Sequence, residues 1–315
     1  MLVSMNGIIG EHSLPNSWLM RIYSNGTHEW LAGVKGIRTD KSFSLINFFV
    51  QLNMTHILIG DNLMGCIRVL NERTRVVSTF SGKCFIETGD DIRHWPASAS
   101  EDGGYQSATY ALIGVLSRST LHPNYVFVPD SNKVRELNLE NQVVTTVFKH
   151  ERRDLFIGKI LWRDDHILLA TSQGLEAYHF NWTLKEQVIQ QTISTLSGTV
   201  YREFREFQMS GLTKDIIVLS FNYKKESANL RSAAQWADVI YSLSEQTSVL
   251  ILNDGDSTAS FFKSNISYII ASSSTGKIYF IHSYESMPNQ TFCSALKVLP
   301  ITGSRQTAIS CDDFL

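Results

Sequence analysis

The 315-residue sequence predicts an all-β fold built from about six copies of one antiparallel unit, and three observations support this prediction. First, short apolar segments rich in β-branched and aromatic residues alternate with turns of Gly, Asn, Asp or Ser. Second, one residue pattern recurs along the chain. Third, long helical periodicity is almost absent, and residues 224–239, in a connection between two units, are the one candidate helix.

The recurring pattern is clearest in ILIGDNLMGCIRVLNERTRVVSTF, from residue 57, and VFVPDSNKVRELNLENQVVTTVF, from residue 126. Each copy has an apolar segment, an Asp, a polar turn, an Arg and a closing Val-Val-x-Thr. Four weaker copies keep the apolar frame and begin at Ser17, Ile167, Val239 and Tyr268. Because such units are close in length to the roughly 40 residues of a propeller blade, we predict a single β-propeller domain over residues 1–315 with about six blades.

The repeated Asp and Arg are predicted to be structural residues. An Asp at the end of a strand can accept hydrogen bonds from the backbone of the following turn. An Arg placed where the chain has doubled back can reach that carboxylate or a neighbouring blade. The pairs are Asp61 with Arg68 and Asp130 with Arg135. A role in ligand binding is the alternative.

The longest connection between units, residues 92–123, is polar at first and apolar later. It carries Trp95, Tyr105 and Tyr110, and aromatic residues provide large contact areas at low entropic cost. Polar residues at 98–107 surround them, as the rim of an interface would. Because binding residues concentrate on long, varied connections, this segment is a candidate binding loop. A disordered insertion in a decaying repeat is the alternative.

Charge and hydropathy argue against two classes of partner. The formal net charge is -2, and Lys and Arg are scattered, whereas nucleic-acid-binding proteins concentrate them on one face. No apolar run approaches the ~18 residues that a membrane-spanning helix needs. The N-terminal residues also lack the basic region of a signal peptide. If the protein is extracellular, the chain is therefore a fragment, a mature form or one whose start is wrongly assigned.

Two features favour an extracellular or cell-surface location. Asn-x-Ser/Thr patterns, the acceptors of N-linked glycans, exceed the roughly three expected by chance. They are centred on Asn25, Asn53, Asn181, Asn265 and Asn289. The four cysteines also form two equally spaced pairs, Cys66 with Cys84 and Cys293 with Cys311, which suits two disulfides in an oxidising compartment. Four buried free thiols are the alternative, and zinc is less favoured because no C-x-x-C or Cys/His cluster is present.

The two clearest copies resemble NHL repeats, the blades of NHL-type β-propellers, and in particular the divergent extracellular forms of invertebrate proteins. Those forms carry one Cys before the Arg and another after the turn that ends the blade. The matching positions here are Asp61, Cys66, Arg68, Ser81, Gly82 and Cys84. The resemblance is specific over residues 34–149 and weak over 150–300. It implies a rigid platform for protein, glycan or RNA ligands, and we predict a disulfide between Cys66 and Cys84 within one blade.

Catalytic chemistry finds little support in the sequence. There is no G-x-S-x-G motif, and the carboxylate clusters at residues 90–94, 164–166 and 253–256 are interpreted as turns. The sequence therefore indicates no catalytic residue, metal or cofactor. We expect a non-catalytic, adhesion- or receptor-like platform that binds protein or glycan and not nucleic acid. The alternative is a metal-dependent propeller enzyme of the amidating-lyase or lactonase type.

Overall fold

The computed structural model describes residues 2–8, 15–23, 27–32, 43, 46–61, 64–84, 100–119, 121–190, 192–194, 200–202, 206–211, 216–223, 235–243, 247–253, 264–272, 277–286, 291–300 and 307–308. Every regular element within these residues is a β-strand. The chain divides into two compact units, Met1–Ile160 and Leu161–Leu315. No helix long and apolar enough to cross a membrane occurs in the described part of the chain.

The first unit contains three antiparallel sheets. The first sheet has the order β1-β2-β3, with β1 Leu2–Ile8, β2 Pro15–Ile22 and β3 His28–Ala32. The second has the order β4-β5-β6-β7, with β4 Ile46–Gln51, β5 His56–Asp61, β6 Cys66–Asn71 and β7 Val76–Ser81. The third has the order β8-β12-β11-β10-β9, with β8 Gly103–Gly104, β9 Ser117–Arg118, β10 Tyr125–Asp130, β11 Lys133–Asn138 and β12 Val143–Lys149.

The remaining sheets follow in chain order, and the unit boundary falls within β13. The fourth sheet consists of β13 Ile157–Trp162, β14 Ile167–Thr171, β15 Gly174–Tyr178 and β16 Leu184–Gln190. A ribbon of β17 Thr192–Ser194 and β18 Val200–Arg202 comes next. The sixth sheet consists of β19 Glu206–Gly211, β20 Ile216–Tyr223, β21 Gln235–Ser242 and β22 Thr247–Asn253. The seventh consists of β23 Ser264–Ser272, β24 Lys277–Ser286, β25 Thr291–Pro300 and β26 Thr307–Ala308.

Consecutive antiparallel meanders of about four strands are the blade topology of a β-propeller, so the predicted fold class is confirmed at this level. Six of the seven sheets formed by the described residues have three to five strands. This number agrees with about six blades, and the blade count itself stays a prediction.

The candidate helix is wrong where it can be checked. Residues 235–239 belong to β21, which pairs with β20 on one side and β22 on the other. A central strand hydrogen-bonds along both edges, and this pairing overrides the local preference of Ala and Gln for helix. Residues 224–234 lie outside the described residues.

The second sheet lies between two hydrophobic cores because its side chains alternate between its faces. Ile57 and Ile59 of β5 pack with Leu19 and Leu31 of the first sheet. Leu58, between them, packs against Val126 and other residues of the third sheet. Successive side chains of HILIGD therefore enter the two cores in turn. Because both faces of this strand are buried, the segment is apolar throughout.

The second unit has its own core. Leu168, Ala170 and Leu175 of the fourth sheet pack with Met209 and Leu219 of the sixth sheet, and all five residues are buried. This core explains why the copy that begins at Ile167 remains apolar although it lacks the Asp and Arg.

Candidate functional site

The second repeated pair forms a buried polar network. Arg135 Nη1 lies 3.2 Å from Asp130 Oδ2, and both side chains are fully buried. The same guanidinium donates hydrogen bonds to the carbonyl oxygens of Thr109 and Glu101. Its Nη2 also lies 3.1 Å from Asp102 Oδ1. These partners all lie within the chain, which favours the predicted structural role of this pair over ligand binding.

The Asp130 carboxylate holds a distant segment. Its Oδ1 accepts hydrogen bonds from the backbone N–H groups of Ala111 and Leu112, each at 2.9 Å. Its Oδ2 accepts one from the hydroxyl of Ser100. The interpretation of this Asp as an acceptor for the following turn therefore needs correction, because these donors lie well before it in the chain. The sequence alone could not show whether the donors to Asp130 come from the turn that follows it or from an earlier segment.

The first pair is buried in the same way. Asp61 is fully buried, and the Arg68 guanidinium carbon lies 6.0 Å from the centre of the Phe43 ring. In the ladder between β5 and β6, Asp61 is opposite Cys66 and Ile59 is opposite Arg68. Arg68 and Arg135 are therefore not available to form the basic face that RNA binding would need.

The described part of the candidate binding loop pairs with the edges of the third sheet. We call residues 100–119 the strap, because β8 pairs with β12 and β9 pairs with β10, at the two edges of the third sheet. Tyr105 and Tyr110 have relative exposures of only 7% and 0%. Their rings therefore do not provide the exposed contact area that the sequence suggested. Trp95 lies outside the described residues.

The two tyrosines tie the strap to its neighbours. The Tyr110 hydroxyl lies 2.8 Å from Ser81 Oγ, and its ring lies under the Arg135 guanidinium at 4.8 Å. The Tyr105 hydroxyl donates to the carbonyl of Asn138 at 2.7 Å. Burial raises the pKa of Tyr105 to about 12 and also raises the pKa of Tyr110. Both phenols are therefore neutral at physiological pH and act as packing groups whose hydroxyls also make polar contacts.

The structure contains the Cys66–Cys84 disulfide. It joins the start of β6 to the residues that follow β7, next to Gly82, whose N–H donates to the carbonyl of Tyr105. Cys293 lies in β25, and Cys311 lies outside the described residues, so their pairing stays a prediction.

The carboxylate clusters give no metal site in the described residues. Within those residues, no group of three His, Cys, Asp or Glu side chains could hold an ion. Asp165 contacts His166 at 2.6 Å and Lys185 at 3.1 Å in the turn before β14, which is consistent with the interpretation of this cluster as a turn. Residues 90–94 and 254–256 lie outside the described part of the chain.

The sequence analysis also missed a turn that the two clear copies of the repeat share. The side-chain oxygen of Asn71 accepts hydrogen bonds from the N–H groups of Arg73 and Thr74. Asn138 does the same for Glu140 and Asn141 in the next sheet. Four positions after each Asn, the chain adopts a left-handed conformation, with φ of 59° at Arg75 and 57° at Gln142. The signal was present in the equivalent Asn of NERTR and NLENQ, since Asn favours such turns.

The exposed groups that could bind a partner meet elsewhere, between the first and second sheets. We call Tyr23, Glu29, Trp30, Arg75 and Val76 the turn-end surface, because the five lie in or beside the β2–β3 and β6–β7 turns. Glu29 contacts the Arg75 guanidinium, and it accepts a hydrogen bond of 2.6 Å from the Tyr23 hydroxyl. That hydrogen bond and the charge of Arg75 lower the pKa of Glu29. The sequence analysis did not predict this surface. The available signal was the alternation within β3, where Trp30 points outward and the next residue, Leu31, is buried.

Comparisons with known proteins find similar solved structures, but they do not assign the chain to a family. No protein-family profile matches the chain, and no curated protein matches it. It is similar to a nidogen/laminin complex structure, with a TM-score of 0.49, 11% identity and coverage of 81% of this chain and 77% of that chain. For the Pan2 WD40 domain of Neurospora crassa, the TM-score is 0.47, the identity 9% and the coverage 98% and 86%.

A third similar structure is a putative 6-phosphogluconolactonase of Bacteroides fragilis. Its TM-score is 0.46, its identity 10%, and the match covers 98% of this chain and 84% of that chain. The three TM-scores lie below 0.5, and the identities do not exceed 11%. These similarities therefore give no information about the activity of this chain.

Proposed function

We propose that this chain is a non-catalytic extracellular binding platform, and that a partner protein binds to the turn-end surface. The observation that carries this proposal is the cluster in which Glu29 links Tyr23 to Arg75, beside which Trp30 is exposed on β3. A glycan is the other ligand class, and the experiment below distinguishes it from a protein.

The residue types of the turn-end surface support protein binding. Trp, Tyr and Arg are the side chains that most often dominate the binding energy of protein interfaces. Here Trp30 is 54% exposed and Tyr23 is 44% exposed. Large apolar groups exposed together with a polar rim are typical of interaction surfaces.

The Glu29 carboxylate adds preorganisation. It contacts both the Tyr23 hydroxyl and the Arg75 guanidinium, so two flexible side chains from different turns are held before a partner arrives. Immobilising a rotamer-rich side chain costs about 0.5–1.5 kcal/mol on association, and side chains that are already ordered avoid part of this cost.

The compartment and the repeat type belong to the same proposal. The Cys66–Cys84 disulfide supports an oxidising, extracellular environment. The buried Asp and Arg of both clear copies support the NHL-type repeat, and a single propeller domain over residues 1–315 is part of the proposal.

The test measures binding of the secreted chain to an array of extracellular protein domains and to a glycan array. A protein partner and a Trp30→Ala variant that binds it at least about 30-fold more weakly would support the proposal, as expected for a residue worth about 2 kcal/mol. Leu121→Ala is the matched control, because Leu121 is 53% exposed and lies outside the turn-end surface. Unchanged binding by a folded Trp30→Ala variant would contradict the assigned surface. Binding to glycans alone would replace protein as the partner class, and stoichiometric zinc or calcium lost together with an activity would contradict a non-catalytic role.

A further inference from the structure

We propose that Asn53 and Asn181 are attachment sites for N-linked glycans, an inference that rests on the extracellular location in the proposed function. Both residues are the first position of an Asn-x-Thr pattern. Of the three other patterns, Asn25 and Asn289 lie outside the described residues. Asn265 lies within β23, opposite Ser283 of β24.

Asn53 lies in the exposed turn between β4 and β5. Its Oδ1 accepts hydrogen bonds from the N–H of Thr55 at 2.9 Å, from the hydroxyl of Thr55 at 3.1 Å and from the N–H of His56 at 2.9 Å. The Nδ2 of Asn53 makes no hydrogen bond to any residue that the structure describes. Met54, the middle residue of the pattern, is 95% exposed, so the turn projects into solvent.

Asn181 repeats this geometry in the exposed turn between β15 and β16. Its Oδ1 accepts hydrogen bonds from the N–H of Thr183 at 3.1 Å and from the hydroxyl of Thr183 at 2.7 Å. Its Nδ2 is likewise without a hydrogen bond in the described part of the chain. Trp182, between them, has a left-handed φ of 64°, which closes the turn.

This geometry suits the chemistry of glycan transfer. Donors on Oδ1 draw electron density from the amide and make its N–H more acidic, while Nδ2 stays open to a sugar donor. With a lipid-linked oligosaccharide diphosphate as donor, a bond forms between Nδ2 and the sugar C1, and the bond from C1 to the diphosphate oxygen breaks. One amide proton passes to a base of the transferase, and the lipid diphosphate is released as the leaving group. The product is a neutral, solubilising group on a surface turn.

Position in the fold makes both products compatible with folding. Asn53 and Asn181 are exposed, and neither contributes to a hydrophobic core. A glycan at either turn therefore displaces no buried side chain, so the folded protein can retain it.

The experiment is to secrete the full chain from eukaryotic cells behind a heterologous signal peptide and to release glycans enzymatically in ¹⁸O water. Peptide mass spectrometry then reports ¹⁸O-labelled Asp at each occupied Asn. We expect labelling at positions 53 and 181 in most molecules, and we expect Asn53→Gln and Asn181→Gln each to remove one glycan. Thr55→Ser and Thr183→Ser are the matched controls, because they keep the hydroxyl and are expected to retain the glycan.

An unlabelled Asn at either position in secreted protein that contains the Cys66–Cys84 disulfide overturns the assignment of that position. The disulfide is measured in the same digest, without reduction, so a misfolded sample is recognised. Failure of the proposed function would appear separately, as unchanged partner binding by Trp30→Ala.

Discussion

Arg135 Nη1 lies 3.2 Å from Asp130 Oδ2, and neither side chain has any exposed surface. Burying two charges is costly, and their attraction offsets this cost only when the remaining polar atoms also find partners. Here backbone groups of the strap supply most of them, with N–H donors to Asp130 and carbonyl acceptors for Arg135, whereas Arg135 Nε has no hydrogen-bond partner among the described residues. The pair therefore holds the strap against the third sheet, and the strap in turn supplies the hydrogen-bond partners that stabilise the buried pair.

Removing the Arg135 charge is expected to destabilise the protein strongly. Arg135→Met leaves Asp130 buried without its cation, and the loss of one partner of a buried pair typically costs about 3–5 kcal/mol. The free energy of unfolding from urea titration measures this. Arg73→Met, which changes an exposed Arg in a turn of the neighbouring sheet, is the control and is expected to stay within about 0.5 kcal/mol of the wild type. Equal stabilities of the two variants would show that the buried pair is not important for folding.

Gly114 is predicted to tolerate no side chain. A Cβ at this position would lie 2.6 Å from the Gly158 carbonyl oxygen and 2.7 Å from the Pro129 Cβ. The backbone approaches closely there because Val115 forms a parallel bridge with Lys159. We expect Gly114→Ala to lower the unfolding free energy by about 1–3 kcal/mol, the usual cost of overpacking.

Gly104→Ala provides the matched control for Gly114→Ala within the same strap. A Cβ at Gly104 would meet no atom closer than 3.7 Å. Its effect is expected to stay within about 0.5 kcal/mol. Thermal unfolding measures the stability of both variants. A Gly114→Ala variant as stable as Gly104→Ala would show that the backbone at Gly114 does not lie this close to Gly158 and Pro129.

The Cys66–Cys84 disulfide is expected to stabilise the second sheet. It closes a loop with a sequence separation of 18, and bonds that close loops of this length contribute about 3 kcal/mol. The double variant Cys66→Ala/Cys84→Ala should therefore unfold at lower urea concentration than the oxidised wild type. Dithiothreitol should shift the wild type towards the double variant. If alkylation labels Cys66 and Cys84 in unreduced secreted protein, the predicted bond is absent.

Asp102 is expected to make the protein more sensitive to acid. Burial by itself raises its pKa, but hydrogen bonds from Thr146 and the charge of Arg135 outweigh burial, so the pKa lies below its usual range. A carboxylate whose pKa is lower in the folded state contributes stability above its unfolded pKa of about 3.9, and this contribution is lost as the pH falls through the folded value. Because the side chain is 42% exposed, we expect an effect below about 1 kcal/mol.

Urea unfolding at pH 6 and pH 3 tests the role of Asp102. The wild type is expected to lose more stability between these pH values than Asp102→Asn, whose side chain does not titrate. Glu151→Gln changes an exposed carboxylate and serves as the control. Identical losses for the wild type and Asp102→Asn would show that this carboxylate makes no acid-sensitive contribution.

Local patterns in the sequence determined the strands, their turns and the positions of the repeated polar residues. The short apolar runs of HILIGD and YVFVPD, rich in β-branched and aromatic residues and followed by turns, predict strands that are buried on both faces. The recurring Asp and Arg and the spacing of Cys66 and Cys84 could also be read from the sequence, because each of these pairs is close together in the chain. The sequence left open whether Arg135 would reach Asp130 or a neighbouring blade, and the structure shows the contact with Asp130.

Only the tertiary structure decided what covers each polar group and which surface stays exposed. The partners of Asp130 in the strap, the burial of Tyr105 and Tyr110, and the meeting of Glu29 with Arg75 all join residues far apart in the chain. Residues 235–239 become strand for a similar reason, because two neighbouring strands pair with them. Alternation shows that a side chain points to one face of a strand. It does not show which distant segment packs there, because that choice depends on the free energy of the whole packed arrangement.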